Sequence, residues 1–413
     1  MHILFLTQII PYPPDAGPKV KTWHVLKYLS DLGYQITLIS FMRPEETQYL
    51  DALRAVCTKL YTVPIRRSRV ADAGYWLRSQ WTRRPFLVER DDSTEMRKLI
   101  ENLVASEKVD FIHADQLSMA QFALPPAHVK NWPATIFDAH NAVWTILDRM
   151  VQNVPWFIRP VVALEAYRIK LYEAMLVKKF DHTLAVTEID NQALQDAIRA
   201  SNGTGKTAES KITVVPIAVN TAKLLPVTRE PASKNILTLG TLHYPPNADG
   251  IRWFLNEVFP LVRQTVPDAT LTIIGKNPPQ DFVLAASQQP GVVNVTGYVP
   301  ELDEYMQKAA VLVVPVRAGG GMRVRILEAF SRAMPVVTTT IGLEGILAAP
   351  DRDVLVKDTE KDFAEAVSQL LLDPQKQAFF AENGRKFVEA HYDWQVILGK
   401  MNDVYQTIHQ ARS

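Results

Sequence analysis

Two consecutive doubly wound α/β domains are the fold the sequence predicts, and three observations carry that reading. Short apolar, β-branched runs recur between helical stretches along the whole chain. Most of these runs are continuous rather than alternating, as strands buried on both faces of a helix-covered parallel sheet must be. The rhythm also starts afresh after NTAKLLPVTREPASK, residues 220–234, whose prolines and polar content mark a linker. The first set of runs predicts strands at 3–7, 35–41, 59–65, 110–115, 134–140, 182–187 and 212–217. The second predicts strands at 235–241, 270–276, 292–298, 311–316, 335–340 and 353–357. An N-terminal domain at 1–219 and a C-terminal domain at 235–393 follow, with a helix-length segment at 394–413 closing the chain.

Composition agrees with this partition. At ~150 residues per domain, 413 residues make two domains, each long enough to bury a core. Hydrophobic residues at 47% and charged residues at 22% are ordinary for a globular chain and argue against disorder. Lys and Arg total 45 against 44 Asp and Glu, so no basic excess points to nucleic acid. A lone cysteine, Cys57, excludes a disulfide framework and any multi-cysteine metal site. The opening MHILFLTQIIPYPP lacks a basic n-region and a cleavage site, and no apolar run nears the ~20 residues of a membrane span, so a soluble, cytoplasmic protein is expected.

The chemistry concentrates at strand ends. In VLVVPVRAGGGMRVRILEAFSRAMPVV, residues 311–337, a buried strand runs into Gly319, Gly320 and Gly321, and Met322 opens a stretch of helical spacing. Glycines there let backbone N–H groups approach an anion at a helix N-terminus, where the dipole also favours negative charge. Arg323 and Arg325 sit at that end, a poor place for cations unless something anionic binds nearby. Glu328 shares a helical face with Arg325 and Arg332, so the simpler reading of it is an ion pair. The simpler reading of the glycines is a tight turn.

The run from Gly319 to Val337 resembles the signature of the retaining glycosyltransferases of family four, the group 1 glycosyltransferases. That family has the GT-B fold, two Rossmann-like domains facing across a nucleotide-sugar cleft. Its pattern is a Glu, seven residues, a second Glu followed by Ala, and then a Pro-Val-Val strand. Glu328-Ala329 and Pro335-Val336-Val337 match, whereas Gly320 stands where the first Glu belongs, so sugar recognition must come from backbone N–H groups or other side chains. NILTLGTLHYPPNADGIRWFLNEVFP, TLTIIGKNPP and VVNVTGYVPELDEYMQKA resemble the family's donor domain, with Tyr298 and Val299 near the nucleobase. FLTQIIPYPPDAGPKVKTWHVLKYLSDLGYQITLISF resembles its opening strand, glycine loop and helix, which would bring Gly17 and Lys19 to the donor diphosphate. IFDAHNAVW puts His140 where the family carries a histidine close to the transferred sugar, AVTEID carries Glu188 before a helix, and the helix from Trp394 would cross back to the first domain.

The resemblance implies a metal-independent, retaining transfer of a hexosyl group from a nucleoside diphosphate sugar, UDP favoured, to the hydroxyl of a sugar, lipid-linked or small-molecule acceptor. Polysaccharide, glycolipid or glycoconjugate biosynthesis is the setting it suggests. Catalytic roles then fall to His140, Arg323 and Arg325. Donor binding falls to Gly17, Lys19, Gly240, Thr241, Lys276, Tyr298, Val299, Gly319, Gly320, Gly321, Met322 and Glu328. No cofactor and no metal is expected. Family members usually place an Arg and a Lys after the first donor-domain strand; this chain has Gly240, Thr241, Leu242 and His243, which moves the phosphate role toward Arg323 and Arg325 with Lys276 as a further cation. A GT-B nucleotide-sugar epimerase is one rival reading, and a non-catalytic GT-B partner, motivated by Gly320, is another. An NAD-dependent oxidoreductase is disfavoured because neither domain's first strand is followed by G-x-G-x-x-G.

Other features have simpler explanations. NGTGKT at 202–207 lacks the first glycine of a phosphate loop, since position 200 is Ala200. Asp351-Arg352-Asp353 could suggest a metal-bound nucleotide sugar but leads into DVLVKD as a turn before a strand. His113 and Asp115 could ligate a metal, although a strand end accounts for both. Residues 65–90 and 144–179 mix basic and aromatic side chains, which offers either a peripheral contact of the N-terminal domain with the inner face of a membrane or helices whose tryptophans pack on the domain.

Overall fold

The computed structural model describes residues 1–14, 17–65, 67–129, 131–152, 154–202 and 211–412. NGTGKT at 202–207 lies almost wholly outside them. The chain divides into two units, Met1–Ile217 with Ile397–Ser413, and Ala218–Val396.

The first unit is built on a seven-stranded sheet in the order β3-β2-β1-β4-β5-β6-β7. Its strands are β1 (His2–Thr7), β2 (Gln35–Met42), β3 (Lys59–Pro64), β4 (Phe111–Asp115), β5 (Ala134–Ala139), β6 (His182–Ala185) and β7 (Ile212–Val214). All neighbours pair in parallel. Every residue of β4 and β5 is buried, because successive side chains enter opposite helix-covered faces. β1 lies between β2 and β4, with Ile3 opposite Ile36 on one side and Phe111 on the other.

The second unit repeats the plan with six parallel strands in the order β10-β9-β8-β11-β12-β13. These are β8 (Asn235–Leu239), β9 (Thr270–Ile274), β10 (Val293–Gly297), β11 (Val311–Val314), β12 (Val336–Thr338) and β13 (Leu355–Val356). β8 lies between β9 and β11. The strand order therefore turns outward in both directions from β1 and from β8, and the carboxyl ends beside them, β1/β4 and β8/β11, are where ligands of open α/β sheets bind. Several strands stop sooner than the apolar pattern suggests. β11 ends at Val314 because Pro315 has no N–H to offer the ladder.

The stretch expected as a linker, 220–234, is bound along the second unit rather than spanning free. Val227 N donates to Arg332 O at 3.0 Å, Glu230 N to Gln307 O at 2.7 Å, and Arg229 Nη1 to Ala333 O at 3.0 Å. Its extended backbone carries unpaired donors, and the ends of neighbouring helices carry unpaired carbonyls. The last helix, Trp394–Arg412, belongs to the first unit from Ile397 on. There Tyr34 Oη donates to Asn402 Oδ1 at 2.5 Å, and Arg412 Nη2 meets Asp181 Oδ1 at 2.6 Å. Among the described residues no helix is long and apolar enough to cross a membrane.

Candidate active site

In the second unit, the residues expected to bind a donor follow the carboxyl ends of four strands. Gly240 and Thr241 follow β8, Lys276 follows β9, Tyr298 and Val299 follow β10, and the glycine loop follows β11. Gly319 and Gly321 have φ of +91° and +84°, a backbone region that side chains strain to enter, so the loop needs glycine at both. The helix Val324–Ser331 then starts with Arg323 as its N-cap.

The two arginines behave differently. Arg323 folds back on its own loop, its Nη1 donating to Gly320 O at 2.7 Å and to Gly321 O, and its Nη2 to Gly319 O at 3.1 Å. It therefore shapes the glycine loop in this conformation. Arg325 turns inward: its Nη2 donates to Asn247 Oδ1 at 3.0 Å, and its Nε is buried with no hydrogen-bond partner. Burial, aided by the charge of Arg323, pushes its guanidinium down to about 10. A Cβ at Gly240 would lie 2.8 Å from Arg325 Nη1, so glycine at the end of β8 is what admits the guanidinium.

Glu328 is not in the ion pair that helical spacing suggested. Arg332 instead binds Asp303 Oδ1 at 2.6 Å, and Arg325 binds Asn247. Burial raises the Glu328 carboxyl above its ordinary range, with Arg332 and Arg325 working in the opposite sense. Met322, ahead of the helix, is buried, while Lys276, Thr241 and Tyr298 are exposed. Asn247 was not legible as a site residue. Its N–H donates to Tyr244 O at 3.0 Å and its Nδ2 to Thr241 O at 3.2 Å, and its Oδ1 accepts from Arg325, a contact across 78 positions that no local pattern announces.

In the first unit the carboxyl ends of β1, β4 and β5 gather a second polar cluster. His140, one residue past β5, has Nε2 2.8 Å from Asp115 Oδ1 at the end of β4. Thr22, on the helix Gly17–Asp31 that follows β1, has its hydroxyl 3.0 Å from Asp115 Oδ2. One helical position earlier, Lys21 makes a buried ion pair with Asp138 of β5. Burial alone would raise the Asp138 carboxyl, but the Lys21 ammonium and the neighbouring imidazoles of His113 and His140 hold it well below the carboxylate range. His113 stacks on Phe5 with centroids 4.2 Å apart, and its Nδ1 lies 2.5 Å from Tyr405 Oη of the last helix. His113, Asp115 and Asp138 thus lie close enough to ligate one ion, yet Lys21, Thr22 and His140 already engage both carboxylates. Asp115, weighed in the sequence only as a strand end or a metal ligand, is the residue that orients His140.

Three further expectations are placed as follows. Gly17 is the first residue of its helix, with Lys19 in the first turn. Glu188 opens the helix Glu188–Asn202 and accepts from Asn191 Nδ2 at 2.8 Å. In the Asp351-Arg352-Asp353 triplet, Asp353 accepts from Ala349 N at 2.8 Å and pairs with Arg352, so it closes a turn before β13.

Residues 233–373 match the family model of the group 1 glycosyl transferases. An uncharacterised 44.6 kDa protein in the cps region of Klebsiella pneumoniae is 29% identical over 165 residues, covering 38% of this chain and 42% of that protein. Glycogen synthase of Mycobacterium tuberculosis is 25% identical over 309 residues, covering 67% of this chain and 69% of the enzyme. The chain thus spans less than half of the Klebsiella protein in the region they share. Among solved structures, HepE of Anabaena in complex with UDP superposes with a TM-score of 0.68 at 13% identity, covering 98% of this chain and 100% of HepE. Two parallel-sheet units of this topology, together with that superposition, give the chain the GT-B fold, and within it residues 233–373 are similar to the group 1 glycosyl transferases.

Proposed function

We propose that this chain is a retaining glycosyltransferase that moves a hexosyl group from a nucleoside diphosphate sugar, UDP-linked by preference, to an acceptor hydroxyl in polysaccharide, glycolipid or glycoconjugate biosynthesis. The observation that carries the reading is the β8/β11 switch point. There a glycine loop shaped by Arg323, a buried guanidinium with an unspent donor on Arg325, and a carboxyl on Glu328 outside any ion pair among the described residues come together. Such an array suits a diphosphate and the hydroxyls of a sugar nucleotide: cations and backbone amides stabilise leaving-group charge, and a carboxylate accepts from hydroxyls. UDP is favoured because HepE, of the same fold, was solved with it.

No carboxylate is singled out as a nucleophile, so the reaction proposed is front-face substitution. The bond from the anomeric carbon to the leaving phosphate oxygen breaks, the acceptor oxygen attacks from the same face, and its proton passes to the departing diphosphate. His140, fixed by Asp115, is assigned to contact with the transferred sugar. Binding needs no metal in this scheme, because arginine and amide groups carry the charge stabilisation.

The test is donor consumption with acceptor present and absent, followed by product analysis. Glu328→Ala is expected to lower kcat/KM at least tenfold, about 1.4 kcal/mol of transition-state stabilisation. Unchanged turnover in Glu328→Ala would remove the site assignment. A donor epimerised without acceptor would replace transfer by epimerisation, and a donor bound but never consumed would make the chain a non-catalytic partner.

A further inference from the structure

The helix Arg69–Thr82 is inside out. At 3.6 residues per turn Val70, Ala73, Leu77 and Trp81 fall on one stripe and Ser79 on the opposite side. An amphipathic helix on a globular unit ordinarily turns its apolar stripe to the core. Here Val70, Leu77 and Trp81 are 85%, 64% and 91% exposed, and Ser79 is the buried residue.

The helix Arg159–Lys179 repeats the anomaly. One side packs on the unit through Ala166, Ile169 and Val177, while Val161, Leu164, Tyr167 and Leu171 form an exposed stripe on the other. Trp156 and Phe157, exposed just before it, stand edge to face. The two segments belong to one region, since Phe86 N, four residues past the first helix, donates to Glu165 Oε1 of the second at 2.5 Å.

Charge says what this face accepts. Arg69 and Arg83 bracket the first helix, and both are exposed and outside any ion pair among the described residues. The second segment, 154–171, carries Arg159, Arg168 and Lys170 against a single acid, Glu165, which pairs with Arg168 at 4.0 Å and accepts from the Phe86 amide, so Arg159 and Lys170 are in excess. A partner must therefore supply negative charge at its surface and apolar depth behind it. A folded protein seldom offers both over such an area, whereas an anionic bilayer does so everywhere.

We propose that the helices Arg69–Thr82 and Arg159–Lys179 form a docking face for an anionic phospholipid bilayer, with Trp81 and Trp156 at the acyl boundary and Arg69 and Arg83 among the headgroups. This inference does not depend on the transferase reading, and its test uses no sugar donor.

The full chain is sedimented with vesicles of phosphatidylcholine alone, or with phosphatidylglycerol as about a third of the lipid. Binding to the anionic vesicles and little to the neutral ones is expected. Leu77→Ser with Trp81→Ser, and separately Arg69→Glu with Arg83→Glu, should each lower the vesicle partition coefficient by about tenfold or more. Leu347→Ser, equally exposed on the second unit, should leave it unchanged, and the thermal midpoints of the variants should match the parent. No binding to either vesicle, equal binding to both, or indifference to the Leu77 and Trp81 changes overturns the proposal. So does a dimer in lipid-free sedimentation velocity that those changes convert to monomer, because the face would then belong to a second copy.

Discussion

Glu173 and Glu328 are both carboxyls raised by burial, and they differ in what surrounds them. Glu173 is fully buried and accepts Val143 N at 2.8 Å and Trp144 N at 3.3 Å, closing the N-terminus of the helix Val143–Val151 just past His140. Burial outweighs those two amides, and its carboxyl is pushed up to about 8, with Asp190 adding to the rise. An unfolded glutamate loses its proton near its ordinary value of 4.5, so between there and about 8 the native state holds a proton that the unfolded state has released. Stability from this group is whole below that window and is lost as pH rises through it. Urea unfolding of the parent and of Glu173→Gln from pH 5 to 8.5 checks this. The parent should lose stability relative to the variant as pH rises, whatever the constant offset from the missing second acceptor. A difference that stays constant across this range would show the carboxylate ionised throughout, as it is in the unfolded chain. Among the described residues no amide donates to Glu328, which leaves its oxygens for a ligand. None of this was legible at the residue scale, where Glu173 is one charge in a helical run and Glu328 sits at ion-pair spacing from two arginines.

Elements were easier to read, and the reason is physical. Strands buried on both faces have to be continuous apolar runs, and the inner strands β1, β4, β5 and β11 left that mark in the sequence. The glycine loop was legible too, because an αL backbone between a strand and a helix selects glycine. What local pattern could not supply was any pairing that the fold alone brings about: Asn247 with Arg325, Asp115 with His140, Tyr405 with His113 across 292 positions. The segment 220–234 shows the same limit, since prolines and polar side chains look like a linker whether or not carbonyls await them. Arg385 is the clamp: its Nη1 donates to Leu224 O at 2.7 Å and to Ser331 O, and its Nη2 to Thr221 O at 3.1 Å. Ser331 ends the helix that begins at the glycine loop, so this one side chain ties the segment to the element carrying Arg325 and Glu328. Arg385→Ala should lower the stability of the protein by about 1–3 kcal/mol, through carbonyls left without a charged donor. Urea unfolding measures it, and a loss under about 0.5 kcal/mol would mean that water replaces the guanidinium.

At the scale of the whole molecule, one topology occurs twice and carries two different chemistries. The β1/β4 switch point holds an ion-paired network around the carboxylates Asp115 and Asp138, with Asp138 Oδ2 and His113 Nε2 left without a hydrogen bond, and the β8/β11 switch point holds the buried, unpartnered Nε of the Arg325 guanidinium. Carboxylates repel an anion and a guanidinium attracts one, so a nucleoside diphosphate should stabilise the protein through the second unit, and thermal unfolding with UDP, GDP, TDP, ADP and NAD, without added metal, reads that directly. A ligand at one hundred times its dissociation constant adds about 2.7 kcal/mol, enough to raise the midpoint of a unit this size by several degrees. UDP is expected to give the largest shift, and Glu328→Ala to diminish it for the sugar nucleotide more than for UDP itself, because that carboxyl is assigned to hydroxyls rather than phosphate. A shift by GDP in place of UDP keeps the site and changes the base. A shift by NAD alone would mean that a dinucleotide binds without the glycine fingerprint that normally admits its pyrophosphate, and the reading of Gly319 to Glu328 as a sugar-nucleotide site would fall. If Glu328→Ala and the parent respond identically to every ligand, the switch point binds nothing through that carboxyl, and the site must be sought elsewhere on the sheet.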